Sequence, residues 1–249
     1  CEPHDYGPLD RAIVASYKAH AVVGHHDVTH IAGDGLGSGY TTALDALLWL
    51  ARINTTTQSP RDGSVERVVG DGAAANDDGV EIIIGDATGT SGWLTTGASG
   101  SHGGGCFEVH STVALIAGTD QFIMGWRVVG AFDAANVYTN YADYSAVGLN
   151  NVDGSIFSLG GKAGTDTTDD SGVNLANGEA LDLKVCIATT TGIPTASYKI
   201  GAAAYAAITM TNTGAARTAG VQMVPFISYM HTGTAVNPGI LIKNMYITR

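Results

Sequence analysis

From residue 105 to residue 129 (GCFEVHSTVALIAGTDQFIMGWRVV) the chain alternates between two sets of positions. Phe107, Val109, Ser111, Val113 and Leu115 fall on one side of an extended chain, and Glu108, His110, Thr112 and Ala114 on the other. After Gly118-Thr119-Asp120 the alternation resumes, with Phe122, Met124, Trp126 and Val128 set against Ile123, Gly125, Arg127 and Val129. Period two on both sides of a Gly/Asp turn predicts an antiparallel strand pair with one face in a core. A helix would scatter both apolar sets around its circumference.

The same reading predicts strands at Val65–Val69, Val80–Gly85, Trp93-Leu94, up to Leu149, Ser155–Leu159, Leu181–Ile187, Ser197–Gly201, Ile208–Met210, Val221–Ser228 and Ile240–Arg249. Asp153-Gly154 is the turn of a hairpin, and Pro225 argues for an edge or a bulge in its strand. Ala163–Asn177 reads as a polar connection. Thr41–Ile53 is the one helix expected: Thr42 caps it, Asp45 stands three residues on, and Leu44, Leu47, Leu48 and Ala51 form a stripe. Trp49, Leu50 and Ile53 make its other side apolar, so the helix needs cover from two directions. About ten strands spaced by turn signals predict an all-β, two-sheet antiparallel jelly-roll sandwich over 77–249. It is preceded over 1–76 by an N-terminal arm carrying the helix 41–53.

Composition supports a folded, turn-rich β protein. Only 14% of residues are charged and 34 of 249 are glycine. The net charge is −11, with 12 basic residues scattered singly among 23 acidic ones, a field that repels phosphate backbones and anionic membranes. Neither nucleic acid nor membrane is therefore an expected partner, and no apolar run reaches the length of about 18 residues that a transmembrane helix needs. The three cysteines form no CxxC pair. Cys106 and Cys186 lie in strand-like runs and read as small buried hydrophobes, so nothing calls for an oxidising compartment.

In sequence order, residues 80–249 resemble the concanavalin-like (lectin/glucanase-type) jelly rolls found as structural proteins of tailed bacteriophage virions. Cys106–Leu115 (CFEVHSTVAL) is similar to that family's FxxEARVxL strand, and Phe122–Arg127 to the strand that follows it. Ala142–Leu149 into Asp153-Gly154-Ser155-Ile156-Phe157 resembles its DG hairpin, and Ser171–Val185 its TGVxLxxG step. Met223–Ser228 followed by Gly239–Ile247 resembles its ending. The resemblance covers about two-thirds of the chain and leaves 1–76 without a counterpart. It implies a non-enzymatic capsid decoration or cement protein on the outer surface of a virion. Such a protein would bind capsid protein or copies of itself, as trimers or other oligomers, without a cofactor. Leu44, Leu47, Leu48, Trp49 and Leu50 are the candidate partner-binding residues.

A glycosidase needs two facing carboxylates, but Glu81 and Glu108 are isolated on strands and read as solvent-facing. His102-Gly103-Gly104-Gly105 matches an oxyanion-hole string without the Gly-x-Ser-x-Gly elbow that would supply a nucleophile. His25, His26 and His30 lack the glutamate of His-Glu-x-x-His. Asp166, Asp169 and Asp170 are weak candidates for Ca²⁺. Tyr138, Tyr141 and Tyr144 are candidate platforms for a sugar, which makes a carbohydrate-binding or receptor-binding module the alternative function.

Overall fold

The computed structural model describes residues 41–45, 49–53, 67–68, 79–84, 94–97, 103–113, 116, 121–131, 138–150, 153–162, 165–230 and 240–248. In chain order the strands are β1 (Thr41–Asp45), β2 (Trp49–Ile53), β3 (Arg67–Val68), β4 (Gly79–Ile84), β5 (Leu94–Thr95), β6 (Gly105–Val113), β7 (Gln121–Val128) and β8 (Asp143–Leu149). They continue as β9 (Ser155–Lys162), β10 (Thr165–Asn174), β11 (Ala180–Ile187), β12 (Pro194–Ile200), β13 (Ala206–Ala207), β14 (Gln222–Met230) and β15 (Ile240–Thr248). Among the described residues one sheet has nine strands, ordered β1-β2-β4-β14-β7-β8-β9-β10 with β5 beside β14, and the other has six, ordered β13-β12-β11-β6-β15-β3. Every pairing is antiparallel. The all-β sandwich is as the alternation predicts.

The alternation also sets what fills the space between the sheets. Phe107, Val109 and Val113 of β6 and Leu181, Leu183 and Val185 of β11 meet Phe122, Met124 and Trp126 of β7 in one buried cluster. The Trp126 indole packs edge-on to Phe107 at 6.3 Å, and its Nε1–H donates across the core to the Val185 carbonyl at 3.1 Å. A second apolar cluster (Ile83, Ile123, Tyr144, Phe157, Val224 and Phe226 among its members) occupies the opposite face of the larger sheet. That face holds a buried ion pair: Arg127 Nε donates to Glu81 Oε1 at 2.5 Å. Across its central strands β7, β8 and β9 both surfaces of this sheet are thus buried, while the smaller sheet is apolar only on its inner side.

Four expectations change. The helix over Thr41–Ile53 is not formed: β1 and β2 pair with each other, and β2 runs beside β4 from Trp49↔Ile84 to Ile53↔Val80. A short apolar run without strict alternation fits a strand as well as it fits a helix. Strands from 41–53 and 67–68 therefore pair into the two sheets, while residues 1–40 lie outside the described residues. The polar run after Ala163 is a strand, β10, largely exposed at the end of the sheet order, so it shows no apolar periodicity. Pro225 is in a central strand, where it falls between the stretch of β14 that pairs with β4 and the stretch that pairs with β5. The missing N–H is tolerated at that junction. Glu81 is buried, not solvent-facing.

The Asp153-Gly154 turn does join β8 to β9. Gly154 has φ +77°, and a Cβ there would lie 2.7 Å from the Leu175 carbonyl oxygen, so both conformation and space demand glycine.

Candidate functional site

The polar members of the alternation in β6, β11, β12 and β15 face outward from the smaller sheet. Register aligns them in rows across the strands. One row runs Tyr246–Glu108–Lys184–Ser197, and the neighbouring row brings His110 beside Asp182 and Asp182 beside Lys199. Cys106 and Cys186 form the next rung on the same face. They are bonded to each other as a disulfide with Cα atoms 4.0 Å apart. This corrects the reading of two separate buried thiols. The partners are 80 residues apart in sequence, and only the register of β6 against β11 places them opposite each other.

Glu108 is the hub of the rows. His110 Nε2 donates to Glu108 Oε1 at 2.5 Å, the Tyr205 hydroxyl donates to the same oxygen at 2.7 Å, and Lys184 Nζ lies 3.3 Å from Oε2. The His110 hydrogen bond, opposed by burial and joined by Tyr205 and Lys184, holds the Glu108 carboxyl at about 2. Burial, then the Glu108 carboxylate, pushes the Tyr205 phenol well above its ordinary range. Lys199 Nζ donates to Asp182 Oδ2 at 2.8 Å, an interaction that raises the lysine pKa. His110 stacks obliquely on Tyr246 with ring centroids 5.0 Å apart.

Tyr205 lies beyond β12, in the loop Gly201–Tyr205. Lys184 Nζ and Lys199 Nζ, both rising from the sheet, are 5.6 and 5.8 Å from its ring centroid. The ring therefore lies over the sheet, tied by its hydroxyl to Glu108, and is 38% exposed. Among the described residues, Tyr205 and Ile193 are the large apolar side chains left exposed. A tyrosine fixed in this way is a platform for stacking, with charged and hydroxyl groups beside it.

The pKa of Glu108 makes an expectation for stability. Its folded value lies below the ordinary carboxylate value of 4.5, so the contribution is complete above about pH 4.5 and is lost as pH falls from there toward 2. Urea midpoints measured from pH 5 to pH 2 should fall more steeply for the wild type than for Glu108→Gln. Equal slopes would show that the carboxylate is not stabilised in the folded protein.

The predicted site residues are distributed differently. Tyr144 is fully buried and donates to Asp166 at 2.9 Å; Tyr141 is 6% exposed, donates to Glu81 at 2.6 Å, and carries the Arg127 guanidinium 4.1 Å above its ring. Neither has a free face for a sugar, because both belong to the second apolar cluster. Tyr138 is in a 3-10 turn, Tyr138–Asn140. Asp166, Asp169 and Asp170 do not converge: strand alternation puts Asp169 on the opposite side of β10 from the other two. Asp169 is anchored instead by the Asn212 and Thr213 amides and side chains. Burial raises its pKa, but these hydrogen bonds prevail and hold it below the ordinary value. Among the described residues no group of three His, Cys, Asp or Glu side chains is placed to hold a metal. Leu44 lies in β1, Trp49 and Leu50 in β2, and Leu47 and Leu48 outside the described residues, as do His25, His26, His30 and His102. No helix among the described residues is long and apolar enough to cross a membrane.

No family model matches the sequence, and no curated protein matches it. Solved structures do resemble the fold. Lectin I of Ulex europaeus, in complex with the methyl glycoside of α-L-fucose, aligns with TM-score 0.54 and 10% identity over 80% of this chain and 91% of the lectin. The chain has a concanavalin-like jelly-roll fold. A seed lectin of Lotus tetragonolobus aligns with TM-score 0.52 and 10% identity over 80% of this chain and 92% of its own. Peanut lectin aligns with TM-score 0.51 and 10% identity over 85% and 94%. At such identity the likeness concerns the fold alone. It agrees with the jelly roll that the sequence resemblance implied, and none of these three structures is a virion component.

Proposed function

We propose that this protein binds a saccharide, without chemically transforming it, on the outer face of the six-stranded sheet. The observation that carries the reading is Tyr205: a partly exposed ring held over a polar sheet face by its bond to Glu108, with two ammonium groups near it. Stacking of an aromatic ring on the apolar face of a sugar, with carboxylates and ammonium groups at the sugar's edge, is how concave or flat protein surfaces hold hydroxyl-rich ligands. The lectin-like fold supports the same reading.

The ionisation states favour binding over turnover. Glu108, held at about 2, stays charged at neutral pH and has no proton to give to a leaving group. Tyr205, with its pKa raised, stays protonated at neutral pH and offers no phenolate base. General acid–base catalysis needs groups poised near the working pH. The saccharide reading takes precedence over capsid decoration because the residues it uses are assembled in one place. Leu44, Trp49 and Leu50 sit in strands and make no helical stripe. The disulfide favours an oxidising setting for the folded protein.

The test is a glycan array followed by titration of the best binder. Tyr205→Ala should weaken binding about tenfold, equivalent to roughly 1.4 kcal/mol, with the melting temperature within a degree or two of wild type. Binding that survives Tyr205→Ala unchanged, or substrate cleavage that Glu108→Gln abolishes, would overturn the proposal.

A further inference from the structure

We infer that the ligand of this face is a neutral, linear oligosaccharide about three units long, lying across the strands. This inference rests on the saccharide-binding reading above. Tyr205 reaches over β12 and β11 to Glu108 on β6, and Tyr246 stands on the far side of Glu108, on β15. Tyr205 thus lies over the Glu108–Lys184 rung, and Tyr246 stands at its β15 end. Four adjacent strands contribute, and three strand spacings amount to about 14 Å. That is longer than one hexose ring and suits a short chain with sugar faces on both tyrosines. The rows run perpendicular to the strands.

Charge decides the chemical class. Glu108 lies 3.3 Å from Lys184 Nζ, and Asp182 lies 2.8 Å from Lys199 Nζ. Each carboxylate on the rows thus has its own ammonium group, and the pairs offer no uncompensated cation to a carboxylated or sulfated sugar. The chain as a whole carries −11, a field that repels polyanions. What the rows do offer is hydroxyl partners: a carboxylate acceptor at Glu108, and ammonium donors at Lys184 and Lys199.

The experiment is calorimetric titration of the full chain. The probes are neutral gluco- and manno-oligosaccharides of one to five units, and mannuronate and galacturonate oligomers of the same lengths. Affinity should rise at least tenfold from the monosaccharide to the trisaccharide and then level off, with the uronates at least tenfold weaker at low salt. Tyr246→Ala, if it melts like the wild type, should lower trisaccharide affinity to that of the disaccharide and leave the disaccharide unchanged. A monosaccharide binding within twofold of the trisaccharide, or uronates binding more tightly, would overturn the inference while Tyr205-dependent binding upholds the saccharide reading. No binding by any probe, with Tyr205→Ala indistinguishable from wild type, overturns both.

Discussion

Arg127→Ala is expected to lower the unfolding free energy by about 3–5 kcal/mol, the range for removing one partner of a buried ion pair. Arg127 is fully buried and Glu81 is 4% exposed. Their contact is 2.5 Å, the Tyr141 hydroxyl donates to the other Glu81 oxygen at 2.6 Å, and the guanidinium lies 4.1 Å above the Tyr141 ring. The surroundings are apolar, with Ile83, Ile123, Val224 and Phe226 in the same cluster. Alanine removes the charge that balances Glu81 and also the packing over Tyr141. For a chain of this size the melting temperature should fall on the order of 10 °C. The paired change Arg127→Met with Glu81→Leu should recover most of that loss, since two apolar side chains of similar volume often replace a buried ion pair without penalty. Urea unfolding of both variants checks this. A loss below about 1 kcal/mol for Arg127→Ala would mean that water reaches the pair, contrary to a sheet buried on both faces.

Replacing both Cys106 and Cys186 with alanine should cost about 4 kcal/mol. The bond closes a loop across 80 residues, and the stabilisation follows from the conformations that such a closure removes from the unfolded chain. The bond also clamps β6 to β11 one rung from Glu108 and Lys184, so its loss should be felt where we propose the saccharide binds. Wild-type protein treated with a dithiol reductant should show the same loss, and the double variant should be indifferent to reductant. If reductant leaves the wild-type midpoint unmoved under conditions that open the bond, the crosslink is not a significant part of the fold's stability.

How much was legible in the sequence depended on how each element is buried. Strands β6 and β7 were readable because one or both of their faces fill a core and the alternation is written in the residue types. Strand β10, exposed along most of its length, leaves no such trace; its one buried carboxylate, Asp169, looks like any turn residue. Strands β1 and β2 are ambiguous in another way, since a short run of residues apolar on several sides suits a helix and a strand equally. The carboxylates and tyrosines were misjudged because type does not reveal facing. Glu81, Tyr141 and Tyr144 are the kinds of residue that surfaces and sugar sites use, and all three are inside. The disulfide and the Glu108 hub depend on register between strands about 70 to 80 residues apart, which no local pattern encodes. Tyr205 left one faint signal, a lone aromatic ring ending the small-residue loop GAAAY just after a strand.

The central claim is that a saccharide lies on the outer face of the six-stranded sheet, against Tyr205. Isotope-edited NMR of the protein titrated with the best array ligand tests this directly. Shifts and intermolecular contacts should concentrate at Glu108, His110, Lys184, Tyr205 and Tyr246. Contacts confined to the larger sheet, with Tyr205 and Glu108 unmoved, would contradict it.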